Sequence, residues 1–158
     1  MTGMVKTARA AALAALALAA GIAAAGAADM AKVIDYRQNL MKTNGAQAAD
    51  IGLILKGDVP FGAANIAAHA EAIHQMSKLL LGAFPQGSGP AAGKTRAKDE
   101  IWTKWEDFKK DATALETESA KLVEIAKGGD MKAIGQQVAV MGKEACGACH
   151  QDFRAQAQ

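Results

Sequence analysis

The chain has 158 residues, of which 22% are charged and two are cysteine, and a formal net charge of +2. Lys6 and Arg9 lie in an N-terminal stretch without acids, and removing that stretch takes 18 basic residues to 16, against 16 acidic ones. A near-neutral remainder of single-domain length argues against nucleic acid or an anionic membrane surface as partner.

The first residues read as a targeting segment. Lys6 and Arg9 form a positive n-region, Ala10 to about Ala20 an Ala/Leu-rich h-region, and Ala25-Gly26-Ala27 a small-residue cleavage site. The expectation is a secretory signal peptide over residues 1–27, cleaved after Ala27. The mature protein, 28–158, is then a single exported domain of the periplasm. The alternative is an uncleaved anchor. The apolar run from Ala10 to Ala28 is almost long enough to span a bilayer, but alanine and glycine dominate it and it ends in the cleavage motif. No later segment is apolar enough to span a membrane.

After the leader the pattern is helical throughout, with no alternating β-branched runs. A first helix is expected from about Met30 to Lys56, with Val33, Tyr36, Leu40, Met41, Ala48, Ile51 and Leu55 on or near one face. Gly57-Asp58-Val59-Pro60 stops it. A second helix should run from Gly62 or Ala63 to Leu81, with Ile66, Ala70, Ile73, Met76, Leu79 and Leu80 as its apolar stripe. Residues 86–95, rich in Gly, Pro and Ser, read as a mobile crossover. A third helix is expected from about Lys98 to Lys127, lined by Ile101, Trp102, Trp105, Phe108, Ala112, Leu115, Leu122 and Ile125. Asp130 is a good N-cap for a fourth helix carrying Ile134, Val138, Met141, Ala145, Cys149 and Phe153. Four amphipathic helices with short links point to an all-α antiparallel four-helix bundle.

The chemistry sits near the C-terminus, in Cys146-Gly147-Ala148-Cys149-His150. Two cysteines at i and i+3, followed at once by histidine, read as a c-type haem attachment site. On a helix the cysteines lie on one face about a turn apart and can form thioethers to two vinyl groups along one porphyrin edge. The next side chain, His150, can then offer a ring nitrogen to iron. A redox dithiol usually comes with a βαβ pattern, absent here. A zinc site needs a fourth ligand, and the remaining histidines, His69 and His74, are far upstream. A disulfide would close too small a loop to restrict the unfolded chain much. No acid, base or nucleophile set directed at a substrate is visible, so the expectation is a carrier and not an enzyme.

The layout resembles the cytochrome c′ family over nearly all of residues 28–158. Matching stretches are Tyr36-Arg37-Gln38, Lys56-Gly57-Asp58-Val59-Pro60, Ala83-Phe84-Pro85, Glu100-Ile101-Trp102 and, most specifically, Gly142 through Arg154. The resemblance implies one covalent haem c per chain, held by Cys146 and Cys149, with His150 as proximal iron ligand. It implies that Arg37 and Gln38 lie beside the haem and its propionates, and that Arg154 lies near the proximal face. Read from sequence alone, Arg37 has the simpler role of a surface ion pair with Asp35 or a neighbouring carboxylate. Arg96 stands where many relatives carry an acidic haem-edge residue, a departure that leaves its role open.

By the same resemblance Met41 faces the iron opposite His150. Many five-coordinate members carry Leu, Phe or Tyr there and admit small gases, some carry Met, and methionine-ligated low-spin relatives carry Met at the matching place. A thioether ligand raises the reduction potential and suits single-electron transfer, whereas a methionine used only for packing leaves a site for nitric oxide or carbon monoxide. The expectation is a mono-haem electron carrier working with redox partner proteins, with gas binding as the alternative. Homodimers through the first two helices are common among relatives and stand here as analogy.

Overall fold

The computed structural model describes the backbone of residues 4–156 and the side chains of residues 30–156. The leader expected at 1–27 and its cleavage site therefore lie outside the residues whose side chains are described. The fold is an antiparallel four-helix bundle, with no strand among the described residues. No helix among them is long and apolar enough to cross a membrane.

Helix α1 (Met4–Lys56) ends where the sequence places its stop. Gly57 takes a φ of +77°, which glycine reaches without a Cβ penalty. Its N–H donates to the Ile54 carbonyl, and the Asp58 N–H reaches back to Leu53 at 3.0 Å, so the last carbonyls of the helix are satisfied. The buried face is turned from the expected one. Ile34, Arg37, Leu40, Asn44, Ile51 and Ile54 are buried, Met41, Ala48 and Leu55 pack at its edge, and Tyr36 is 51% exposed. Two polar residues occupy the centre of this face, which is why a purely apolar pattern reads it slightly out of phase.

Helix α2 (Ala63–Ser77) buries Ile66, Ala70, Ile73 and Ser77. It stops one turn sooner than expected and passes through a short 3₁₀ turn, Leu81–Ala83, leaving Leu79 half exposed and Leu80 buried. The expected third helix is two: α3 (Glu100–Thr103) and α4 (Trp105–Lys127), separated at Lys104, whose φ of −120° and ψ of 48° interrupt the helix. Helix α4 is the central element, packing on α2 and on the whole C-terminal arm.

The fourth helix is likewise interrupted. Asp130 caps α5 (Met131–Val140), its carboxylate accepting from the N–H groups of Lys132 and Ala133 at 2.9 and 3.2 Å. A π-helical segment, Met141–Gly147, follows, and then α6 (Ala148–Phe153). A Cβ at position 147 would stand 3.2 Å from the Gly142 carbonyl oxygen, so glycine suits the widened turn. Such turns inside α-helices recur at functional sites.

Phe108 of α4 anchors the core at this end, edge-on to Phe84 at 4.7 Å and to Phe153 at 5.3 Å. The chain after α6 is clasped to the segment before α3. Ala97 and Arg154 form an antiparallel bridge, flanked by bonds from Lys98 N–H to Phe153 and from Ala155 N–H to Arg96. Thus α1 packs chiefly on α2, while α6 packs on α3, α4 and the π segment. The space between α1 and α6 is where the site lies.

Candidate functional site

A cavity of about 1080 Å³ opens between α1 and α6. Arg37, Gln38 and Met41 line it from α1, Cys149, His150 and Arg154 from the C-terminal arm, and Arg96 from the clasped segment. Phe84, Ile101, Phe108 and Phe153 form its apolar wall. Seven of the eight residues singled out in the sequence thus share one cavity, from three separate parts of the chain. The eighth, Cys146, does not line it. It belongs to the π segment and packs, half-buried, against the core. The histidines outside the motif are elsewhere: His69 bonds Gln47 at 2.6 Å and His74 bonds the Glu116 carbonyl at 3.1 Å.

Each wall is held differently. Arg37 is buried and makes no ion pair with Asp35. Its guanidinium donates to the Ser88 hydroxyl at 3.0 Å, the Ser88 carbonyl at 2.9 Å and the Thr95 hydroxyl at 3.1 Å. It also sits 4.7 Å from the centre of the Phe84 ring, within cation–π range. These bonds pin the 86–95 crossover, expected to be mobile, and leave Ser88 fully buried. Gln38 adds a bond from its amide to the Lys94 carbonyl at 2.8 Å. Arg96 donates from Nε to the Ala155 carbonyl at 2.8 Å, fixing its stem at the exposed rim.

Ser88, Thr95 and the Phe84 ring were not singled out in the sequence as parts of the site. Their signal was indirect. A buried arginine without a carboxylate partner must find neutral acceptors, and the only hydroxyls in the Gly/Pro-rich crossover are these two.

Electrostatics separate the two halves of the motif. Burial pushes the Cys149 thiol up to about 12, with repulsion from Asp111, Cys146 and Asp152 added. Burial also raises Cys146. His150 moves the other way: its surface is exposed overall, yet loss of water around the ring lowers its pKa first, and Arg154 and Arg96 lower it further. At neutral pH the thiols stay protonated and the imidazole stays neutral. Protonated thiols make poor redox nucleophiles, whereas a neutral imidazole keeps a lone pair for a metal. No cluster of three or more His, Cys, Asp or Glu side chains able to hold a bare metal ion occurs among the described residues.

The donor set therefore fits a haem better than a bare ion. Two adjacent thiols, a neutral imidazole, a thioether across an apolar cavity, and cationic side chains at the rim match a flat, hydrophobic, anionic macrocycle.

Comparison with known proteins agrees. The family model described as cytochrome C′ matches residues 32–154. Cytochrome c′ of Rhodospirillum rubrum is 36% identical over 145 residues, covering 90% of this chain and 95% of that protein. A cytochrome c-556 of Agrobacterium tumefaciens is 31% identical over 121 residues, 77% of this chain and 95% of its own length. The nitric oxide complex of a leucine-to-alanine variant of cytochrome c prime from Alcaligenes xylosoxidans superposes with a TM-score of 0.73 at 26% identity, covering 81% of this chain and 97% of that one.

Proposed function

Because this chain belongs to the cytochrome c′ family, and so binds haem c covalently, we propose that it is an exported mono-haem electron carrier of the periplasm. When bound, the haem supplies a one-electron Fe(III)/Fe(II) couple. Cys146 and Cys149 would hold it by thioethers, and His150 and Met41 would supply nitrogen and sulfur ligands to its iron.

The observation that carries this reading is one cavity lined by both His150 of the C-terminal arm and Met41 of α1. His150 is kept neutral by partial burial and by Arg96 and Arg154, which favours iron over a proton. Arg154 and Arg96 put positive charge at the rim, where propionates would be stabilised. Arg37 and Gln38 act one step back. By fixing the crossover they hold Phe84 and the rim segment 94–97 in place, so the cavity keeps its shape in both redox states. Phe84, Phe108 and Phe153 line the cavity and would keep water from a bound haem, which together with a thioether ligand would raise its potential.

Relatives also support a second reading. The Alcaligenes variant was solved with nitric oxide bound, and Met41 is only half-buried against the core, as a packing residue could be. In that reading Met41 leaves the iron and a small gas binds in its place. Optical spectra separate the two. Methionine ligation predicts low-spin ferric and ferrous spectra that turn high-spin in Met41→Ala. A high-spin ferric spectrum in the unaltered protein would establish the gas-binding reading instead.

A further inference from the structure

Five cationic side chains line the cavity, Arg37, Lys42, Lys94, Arg96 and Arg154, against one acid, Asp35. The two propionates of a bound haem would still leave positive charge in excess. Arg37 is buried, and its hydrogen bonds are given to the crossover. The other four are exposed. None of the four forms an ion pair among the described residues, and the ion pairs those residues do make lie outside the cavity lining. Basic and acidic residues balance at 16 each once the N-terminal stretch is set aside. The positive charge at the mouth is therefore a local concentration and not a reflection of net charge.

The four cations come from separate parts of the chain. Lys42 belongs to α1, Lys94 and Arg96 to the segment before α3, and Arg154 follows α6. The bridge between Ala97 and Arg154 draws the last two segments together. Their field reaches into the site, since Arg154 and Arg96 both lower the pKa of His150. Like charges gathered at one opening repel and add nothing to stability. On a near-neutral protein such a cluster instead steers an approaching anionic surface and fixes its orientation.

We propose that the cavity mouth is the docking surface for an acidic redox partner protein, with Lys42 and Lys94 as its steering charges. The proposal rests on the electron-carrier reading above and names the chemistry of the partner. One electron passes between the haem and the partner's own redox centre, and no bond forms or breaks. A lipid surface fits less well, because none of the exposed large apolar side chains lines the mouth and an interfacial membrane site needs apolar groups beside its cations.

The test uses the matured haem protein in its ferrous form, mixed in stopped flow with plant plastocyanin, an acidic blue-copper protein, as Cu(II). The electron leaves Fe(II) and reduces Cu(II) to Cu(I). The bimolecular rate constant should fall steeply with added salt. At low ionic strength, Lys42→Glu with Lys94→Glu should lower it about tenfold. Lys78→Glu with Lys132→Glu makes the same change in total charge at exposed positions outside the lining, and should lower it less than about twofold. Equal losses in the two pairs, or a rate indifferent to salt, would overturn the proposal. Binding to phosphatidylserine vesicles that is lost in the first pair, with the plastocyanin rate unchanged, would assign the mouth to lipid and overturn it too. If the charge-reversed pair does not fold, Lys42→Gln with Lys94→Gln decides, with about a threefold loss expected and no loss overturning the proposal. A colourless protein, or one whose ferrous form the cation tris(phenanthroline)cobalt(III) fails to oxidise, would overturn the carrier reading itself. That outcome differs from a protein that the cobalt complex oxidises but that shows no preference for the acidic partner.

Discussion

The C-terminal arm, from Cys146 to Arg154, holds its chemistry within nine consecutive residues, of which Cys149, His150 and Arg154 line the cavity. The α1 wall works through partners 51 to 58 positions away, where Arg37 reaches Ser88 and Thr95. The first wall offers thiols and an imidazole that can be bonded directly. The second offers a half-buried thioether and a cation whose hydrogen bonds are given to a loop. In the proposed reading, one wall attaches the prosthetic group, and the other sets what happens on its far face.

If that division is correct, the largest effect comes from the attaching wall. Replacing both thiols, Cys146→Ala with Cys149→Ala, should abolish covalent retention, so any haem recovered is extracted by acid-acetone. Haem surviving extraction would break the comparison outright.

On the other wall, Arg37→Leu leaves the Ser88 and Thr95 acceptors without their donor and releases the crossover. A loss of about 3 kcal/mol in urea unfolding is expected. A change below about 0.5 kcal/mol would mean that Arg37 does not clamp the loop. Met41→Ala should lower the reduction potential and convert low-spin to high-spin spectra, with stability affected less than in Arg37→Leu.

Smaller effects follow from pH. In chain recovered before haem attachment, Cys149 is raised from an ordinary 9.0 to about 12. The folded form then holds its proton while the unfolded form releases it, so stability falls as pH rises from 9.0 towards about 12. His150 is lowered from 6.5, so the folded form resists protonation and stability also falls as pH drops below 6.5. Urea midpoints measured across pH should be highest between these limits. Thiol alkylation with its midpoint near 9 would contradict the burial of Cys149. The smallest effect is at the cap: Asp130→Ala should cost about 1 kcal/mol without altering the haem spectrum, since α5 begins well away from the cavity.

The same division explains what could be read from the sequence. Cys146-x-x-Cys149-His150 is legible because its meaning lies in local spacing. The Asp130 cap and the Gly57 stop are legible because side-chain capping and positive φ are local demands. The buried face of α1 is less so. Arg37 and Asn44 occupy it, and their burial depends on acceptors and space contributed by distant segments. The breaks at Lys104 and at the π segment are also hidden. Helical periodicity continues through both, and only the packing around Phe108 and the clasp between residues 96–98 and 153–155 accompany them. The convergence of Arg96 with Arg154 comes from that clasp, which no spacing announces.

The central claim is that a haem is bonded to Cys146 and Cys149 in the cavity between the two walls. Intact-mass measurement of the exported protein, made in a host able to attach haem, tests it most directly. The account predicts a chain beginning at Ala28, heavier by one haem, with neither thiol available to alkylation. A mass equal to the bare polypeptide, with both thiols alkylated, would contradict it.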